Sequence, residues 1–184
     1  MLLNSNQIAN HVIESEFSKR AQIGIDLSVC KIEYISAGSV VYKDKTLIDP
    51  AFYHEQELIK IDNRNCWRLS KGVYSVTFNE GIKVPADCAA KITHRSSLYR
   101  TGTIIESPWW DPGFYCDQMN TTMIVNNSII IEKNARIGQI AFWKVDEVGE
   151  QYDGQFQGLN TSYLPQYFKY TCVFLFLFHM YMKT

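Results

Sequence analysis

The stretch "CAAKITHRSSLYRTGTIIES", residues 88–107, places two short runs rich in β-branched residues on either side of a polar turn. Comparable runs recur along the chain, and residues that form turns separate them. They are "IGIDLSV", "KIEYIS", "GSVVYKD", "ELIKI", "VYSVTFNE", "TTMIVNN", "SIIIEK" and "RIGQIAFWKV". Strands at this frequency predict a mostly β fold, either a sandwich or a barrel.

One short amphipathic helix is predicted at the start of the chain. Ile8, Val12 and Phe17 recur at near-helical spacing within residues 5–19, and Asn4 or Ser5 can cap the first turn. This segment is expected to be the main helix of the fold.

The composition is that of one globular domain without a broad charged surface. Its 184 residues are enough to bury a core without disulfides. Lys and Arg number 18 against 19 Asp and Glu, and the resulting net charge of -1 argues against sequence-independent binding to nucleic acid. No nucleic-acid partner is therefore expected, and any phosphate recognition must be local.

Cysteine usage and the two termini predict a cytoplasmic protein. The five cysteines include no CxxC pair, so they fit neither a disulfide framework nor a zinc site. The N-terminus lacks the basic region of a signal peptide. The C-terminal run "VFLFLFHMYM" is about half as long as the roughly 20 residues that a membrane-spanning helix needs, so no membrane partner is expected.

The end of the chain differs in composition from the rest. Residues 1–150 carry the strand pattern, whereas residues 151–184 begin as a segment rich in Gly, Gln, Asn, Ser and Tyr and end in the apolar run. We predict a β domain followed by a C-terminal arm and tail. Because exposed apolar runs aggregate, residues 173–178 are predicted to be buried, at a subunit interface.

Two polar turns carry candidate chemistry. Arg95, Ser96 and Ser97 follow a strand-like run, and guanidinium and hydroxyl donors together suit phosphate oxygens. Asp111 precedes Pro112 and Gly113, which fix the direction of a carboxylate able to orient and deprotonate a water. Taken singly, each pattern is also compatible with an ordinary surface turn.

Two further segments carry weaker signals of the same kind. In "KNARIGQIAF", Arg136 and Gln139 lie at a transition from loop to strand, where both can contact a phosphate or simply face solvent. In "YDGQFQG", Phe156 lies among flexible polar neighbours, as in an arm that closes over a ring or in a plain surface turn.

The order of these segments resembles one known superfamily. "GIDL" (24–27), "RSSLYR" (95–100), "WDPGF" (110–114), "ARIGQIAF" (135–142) and "YDGQFQG" (152–158) together resemble the dUTPase and dCTP deaminase superfamily, most closely the archaeal-type dUTPases. The resemblance covers roughly residues 22–158. It implies a β-clip, a distorted jelly-roll-like barrel with one N-terminal helix. It also implies a homotrimer whose active sites combine motifs from more than one chain.

The resemblance also implies a role for each matching residue. Asp26 would hold the hydration shell of Mg²⁺, contacting the metal through water. Asp111 would position the attacking water, and Phe114 would pack on the deoxyribose. The remaining substrate-binding residues implied are Arg95, Ser96, Ser97, Arg100, Arg136 and Gln139 for the phosphates, and Phe156 with Gln157 in the closing arm.

The strand that follows Asp111 bears on the choice between two activities. Deaminases of the superfamily use a glutamate there as general acid and base, but "YCDQMNTTMIVNN" contains only Asp117, close to the turn. We therefore predict Mg²⁺-dependent hydrolysis of dUTP to dUMP and pyrophosphate. A dCTP deaminase, a bifunctional enzyme and a catalytically silent nucleotide-binding regulator remain the alternatives. Cys116, Gln118 and Met119 depart from the family pattern.

Overall fold

The computed structural model describes residues 1–36, 40–43, 46–47, 52–147, 149–154 and 156–158. Within them the chain forms two one-turn helices, α1 (Ser5–Ile8) and α2 (Ser96–Tyr99), and a 3₁₀ turn at Ala9–His11. The strands are β1 (Val12–Ile13), β2 (Lys19–Arg20), β3 (Ile25–Ile35), β4 (Val40–Val41), β5 (Thr46–Leu47), β6 (Tyr53–Glu55), β7 (Ile59–Ile61), β8 (Arg64–Leu69), β9 (Gly72–Phe78), β10 (Gly81–Lys83), β11 (Cys88–His94), β12 (Thr103–Glu106), β13 (Tyr115–Cys116), β14 (Asn120–Val125), β15 (Ile129–Glu132) and β16 (Arg136–Lys144).

Six antiparallel strands close into a barrel. They pair in the order β3, β9, β14, β12, β11 and β16, and β16 returns to pair with β3. Closure leaves no unpaired edge within this ring, which removes the site at which sheets aggregate. The predicted mostly β fold is confirmed, and it is a barrel.

The barrel interior holds the core. Alternate residues of each strand point inward, as the two-residue repeat of a strand requires. A fully buried aliphatic or aromatic side chain contributes roughly 1.5–3 kcal/mol by leaving water. The largest such side chains include Phe78, Phe142, Ile32, Ile92 and Met123.

The N-terminal helix is much shorter than predicted. Asn4 caps α1, because its side chain accepts hydrogen bonds from the backbone N–H groups of Asn6 and Gln7. After the 3₁₀ turn, Val12 enters β1 and pairs with Ile82, so the helical prediction for residues 9–19 is wrong apart from that turn. Two β-branched residues in succession prefer the strand.

Several other elements differ from the sequence expectation. β3 joins two predicted runs into one strand, with a register shift between Val29 and Lys31. β8 was not predicted, because charged residues interrupt its buried Cys66, Trp67 and Leu69. The turn predicted at Ser96 is helix α2.

The state of the cysteines and the presence of a membrane-spanning helix are known only for the described part of the chain. Cys30, Cys66, Cys88 and Cys116 are free thiols. Across the residues described, no helix combines the length and apolar character needed to cross a bilayer. Residues 173–178, and the interface predicted for them, lie outside the described residues.

Candidate functional site

An open cavity of about 840 Å³ lies where β2, β3, β11 and β16 meet at one end of the barrel. Its walls carry three long cationic side chains, one buried carboxylate and several neutral hydrogen-bonding groups. The lining residues are Lys19, Arg20, Ala21, Gln22, Asp26, His94, Arg95, Ser96, Tyr99 and Gln139. Four of them, Asp26, Arg95, Ser96 and Gln139, are among the predicted site residues.

Asp26 is the centre of the hydrogen-bond network in this cavity. It is only 3% exposed, and its Oδ2 lies 2.9 Å from Nε of Arg95 and 3.9 Å from Nε of Arg136. Its Oδ1 accepts a hydrogen bond of 3.2 Å from the side-chain amide of Gln139. A buried carboxylate is stable only when paired in this way, so Asp26 fixes the positions of its neighbours.

Backbone contacts hold Arg95 and the bulge beside it. The N–H of Arg95 donates to the carbonyl of Ile137 at 3.0 Å, and its Nη1 donates to the carbonyl of Arg136 at 3.0 Å. The pairing of β16 with β3 shifts register between Arg136 and Gly138. Bulges of this kind redirect side chains and are common beside active sites.

Gly24 allows β3 to enter the site closely against β16. Its φ is +77°, and a Cβ there would run into the carbonyl oxygen of Ile140. Only glycine satisfies both the left-handed backbone and the close approach. The "GIDL" segment thus places Asp26 two residues after an obligatory glycine.

Only some residues of the "RSSLYR" segment line the cavity. Arg95 and Ser96 line it, whereas Ser97 and Arg100 are exposed and are not among its lining residues. Leu98 is buried and anchors α2 on the barrel. Because α2 turns successive side chains around its axis, only part of the motif faces the cavity.

Six lining residues were not predicted as site residues: Lys19, Arg20, Ala21, Gln22, His94 and Tyr99. The rings of His94 and Tyr99 stack with centroids 4.8 Å apart. Arg20 forms an ion pair of 2.8 Å with Glu14. Lys19 is the last residue of the predicted N-terminal helix and Arg20 lies in no predicted element, because a two-residue strand gives too short a pattern to be recognised from sequence.

Asp111 lies outside the cavity. The residue before it, Trp110, exchanges two backbone hydrogen bonds with Ala90, and a backbone bond from Phe114 to the carbonyl of Asp111 closes the turn. The cavity begins at His94, four residues along β11 from Ala90, or roughly 13 Å at the rise of a strand. A single chain therefore does not bring Asp111 to Asp26 and Arg95.

The turn at Asp111 binds the segment predicted to form an arm. Gln157 accepts a hydrogen bond of 3.0 Å from the N–H of Tyr115, and its amide donates to the carbonyl of Gly113 at 2.8 Å. The ring of Phe114 lies 5.4 Å from that of Tyr152. Phe156 is 46% exposed, beside this contact. Asp111, Phe114 and Gln157 thus form a second group, away from the cavity.

The residues that depart from the family pattern support packing. Met119 is fully buried in the core, and Cys116 is 3% exposed. Burial raises the pKa of the Cys116 thiol to about 12, so it is inert at neutral pH. Gln118 donates a weak hydrogen bond to the sulfur of Cys30. Asp117 accepts a hydrogen bond from the hydroxyl of Tyr115.

The lining of the cavity offers a divalent metal few ligands of its own. Within the part of the chain that the structure describes, no three His, Cys, Asp or Glu side chains cluster as metal ligands. Asp26 is the one carboxylate of the lining. Mg²⁺ commonly uses one or two carboxylates together with water and substrate phosphates, so this donor set fits a metal carried mainly by a polyphosphate.

Comparison with known proteins places the chain among relatives of two kinds. The sequence profile of a family described as dCTP deaminase-like matches residues 3–145. The probable deoxyuridine 5'-triphosphate nucleotidohydrolase of Methanosarcina acetivorans is 32% identical over 174 residues, 88% of this chain and 99% of the relative. The deoxyuridine 5'-triphosphate nucleotidohydrolase of Methanocaldococcus jannaschii is 33% identical over 86% of this chain and 99% of its own.

Two further matches are to dCTP deaminases. That of Thermococcus gammatolerans is 36% identical over 165 residues, 86% of this chain and 92% of the relative. The crystal structure of 2'-deoxycytidine 5'-triphosphate deaminase from Agrobacterium tumefaciens superposes with a TM-score of 0.57 at 16% identity. That match covers 78% of this chain and 48% of the deaminase chain, and it shows a common fold.

Proposed function

This chain belongs to the dCTP deaminase-like family, and we propose that it hydrolyses dUTP to dUMP and pyrophosphate. The cavity carries the proposal, because buried Asp26 holds Arg95 and Gln139 in the fixed arrangement that a polyphosphate needs. Relatives named as dUTP nucleotidohydrolases, aligned over nearly their whole length, support the choice of substrate.

The cavity would bind the triphosphate through fixed donors. Nε and Nη1 of Arg95 are already engaged, so its remaining N–H groups are free to contact phosphate oxygens. The hydroxyl of Ser96 and the amide of Gln139 supply neutral donors. Arg136 lies next to Asp26 and adds positive charge. Since these groups are held before the substrate arrives, little ordering is needed on binding.

Asp111 would act as the base toward water. Its carboxylate is exposed and has no hydrogen-bond or ion-pair partner among the described residues, so both oxygens can accept a proton from water. The water attacks the α-phosphorus, the bond from that phosphorus to the bridging oxygen breaks, and pyrophosphate leaves. The proton of the water passes to Asp111.

Catalysis by these residues requires more than one chain. Asp111 and the cavity lie at opposite ends of β11 within one chain, so the carboxylate would have to come from a neighbouring subunit. A homotrimer with active sites at its interfaces meets this requirement. The aromatic rings of Phe114 and Phe156 would then pack on the deoxyribose and the base.

Mg²⁺ is the proposed cofactor. Asp26 would hold it through bound water, and the metal would supply charge neutralisation along the triphosphate. The ion pair with Arg95 holds the Asp26 carboxylate in position for this contact. Few protein ligands would be needed, because the substrate would bring most of the oxygen atoms.

Deamination of dCTP is the competing activity, favoured by the similarity to a dCTP deaminase at 36% identity. The described cavity offers no glutamate, and Asp117 is engaged by Tyr115. The test is to incubate the protein with dUTP, dCTP or UTP and Mg²⁺ and to separate the products by anion-exchange chromatography. We expect dUMP and pyrophosphate from dUTP alone. Ammonia from dCTP, or unchanged dUTP, would contradict the proposal.

A further inference from the structure

Lys19 faces the cavity without a partner. In the antiparallel pairing of β2 with β3, Lys19 lies directly opposite Asp26, so the two side chains share one face of the sheet. Arg20, the next residue, is paired with Glu14. Lys19 has no ion pair or hydrogen bond from its side chain among the described residues, although it lines the cavity. Its ammonium group is therefore available to an anion.

A buried carboxylate, that of Glu80, contacts the segment that precedes Lys19. Glu80 is completely buried, yet no cation pairs with it in the described part of the chain. Instead Oε1 accepts hydrogen bonds from the hydroxyls of Ser15 at 2.5 Å, Ser18 at 2.8 Å and Ser28 at 2.7 Å. Its Oε2 accepts from the N–H of Ser28 at 2.9 Å. A buried carboxyl group is tolerated in a core only where several donors satisfy its oxygens.

These contacts tie the segment before Lys19 to the strand that holds Asp26. Ser18 immediately precedes Lys19, and Ser28 lies two residues beyond Asp26 on β3. Glu80 bridges the two, so it fixes the distance between the cavity wall and the strand. A second link, from Nη1 of Arg136 to the carbonyl of Phe17 at 3.4 Å, joins the same segment to β16.

We propose that Lys19 is a phosphate-binding residue of this cavity and that Glu80 is the positioning residue that holds its strand against β3. The inference rests on the proposed function in that the ligand is the polyphosphate of a nucleotide. Asp26 cancels one positive charge of the network, because it pairs with Arg95. Lys19, which has no side-chain partner among the described residues, adds a further positive charge that attracts a highly charged anion.

Titration of inorganic tripolyphosphate by calorimetry tests the role of Lys19 without any turnover. In the full-length protein, Lys19→Met is expected to weaken binding roughly tenfold, the loss of one charged contact. Lys60→Met is the matched control, because Lys60 is an exposed lysine of β7 that has no side-chain partner among the described residues and does not line the cavity. Equal affinity of the Lys19→Met and wild-type proteins would overturn the inference, as would an equal loss in the control.

The role of Glu80 is tested by coupling to Lys19. Ser18→Ala removes one donor to Glu80 and is expected to weaken tripolyphosphate binding about threefold in the wild type and not further in Lys19→Met. Equal losses in both backgrounds would reduce Glu80 to a general structural role. Glu80→Gln can still accept from Ser28 and donate to the serine hydroxyls, so it should bind like the wild type, whereas Glu80→Ala should resemble Ser18→Ala.

The outcomes separate this inference from the proposed function. Tripolyphosphate binding that depends on Lys19, in a protein that leaves dUTP intact, would retain the inference and remove the dUTPase proposal. Hydrolysis of dUTP with the same KM in the wild type and in Lys19→Met would do the reverse. A wild-type protein that does not bind tripolyphosphate would overturn the inference.

Discussion

Asp26 and Asp111 are the two carboxylates to which the chemistry is assigned, and their surroundings are opposite. Asp26 is 3% exposed and contacts Arg95, Arg136 and Gln139. Asp111 is exposed, and its side chain has no partner in the described chain. The first is engaged before substrate arrives, whereas the second is free to bind water.

This difference assigns different tasks to chemically identical groups. A carboxylate whose oxygens already accept hydrogen bonds from a guanidinium and an amide has fewer lone pairs left for a water molecule. A carboxylate held only by its backbone, in a turn stiffened by Pro112, keeps its lone pairs for a water molecule. Under the proposed function, the cavity would bind the substrate and the turn would supply the base.

Replacing the exposed carboxylate, Asp111, should have the largest effect on activity. Asp111→Asn keeps the turn and the shape of the side chain but removes the base, so kcat for dUTP should fall about a thousandfold with little change in affinity. Steady-state kinetics and calorimetry with a non-hydrolysable analogue measure the two quantities. Asp146→Asn, at another exposed aspartate, is the control and should retain full activity. A rate near that of the wild type would remove Asp111 from the mechanism.

Replacing the engaged carboxylate should act on metal use and on the network. Asp26→Asn presents an amide to Arg95 and removes the charge that would hold the hydrated Mg²⁺, so kcat/KM should fall about a hundredfold. The Mg²⁺ concentration for half-maximal rate should rise, a change that Asp111→Asn would not produce. The same Mg²⁺ dependence in both variants would contradict the proposal that Asp26, and not Asp111, holds the hydrated metal.

Alanine substitutions at Gly24 and Gly113, the glycines near these two aspartates, should lower the stability of the protein by different amounts. At Gly24 an added methyl meets the backbone of Ile140, whereas at Gly113, with φ +83°, it meets only the movable side chain of Gln151. Gly24→Ala should lower the free energy of unfolding by about 2 kcal/mol or more, and Gly113→Ala by about 1 kcal/mol. Urea denaturation compares them, and the reverse order would show that the turn is the more rigid region.

Removing the hydrogen bonds between Gln157 and the turn that carries Asp111 should have the smallest effect. Gln157→Ala removes three exposed hydrogen bonds, so the free energy of unfolding should change by only about 1 kcal/mol. If the arm orders the turn that carries Asp111, kcat/KM should fall a few-fold. Asp153→Ala, at an exposed neighbour in the same segment, is the control. An unchanged kcat/KM in Gln157→Ala would separate the arm from catalysis.

The sequence predicted the elements with strong local patterns. The run "CAAKITH" is β11 from its first residue to its last, because apolar residues at alternate positions, Cys88, Ala90 and Ile92, indicate a half-buried strand. The superfamily resemblance is confirmed, and it rests on short motifs such as "WDPGF". Barrel closure by β16 and β3 depends on pairing between distant residues, which no local pattern specifies.

Other features lay beyond the sequence pattern for physical reasons. The spacing of Ile8 and Val12 indicated a longer helix, but pairing of Val12 with Ile82 outweighs helix propensity. Lys19 and Glu80 gave no motif, because their importance comes from a register and from buried hydrogen bonds across many residues. The separation of Asp111 from Asp26 likewise depends on where β11 begins and ends.

A complementation experiment tests most directly whether the active site combines the cavity of one chain with the turn of another. Asp111→Asn and Arg95→Ala, each inactive alone, are co-expressed with different tags in equal amounts, and mixed assemblies are purified before the dUTP assay. In a homotrimer, every mixed assembly has one of its three interfaces joining an intact cavity to an intact turn, so about a third of wild-type activity is predicted for shared sites. If each site were built within one chain, every chain would carry a lesion, and mixed assemblies without activity would contradict the account.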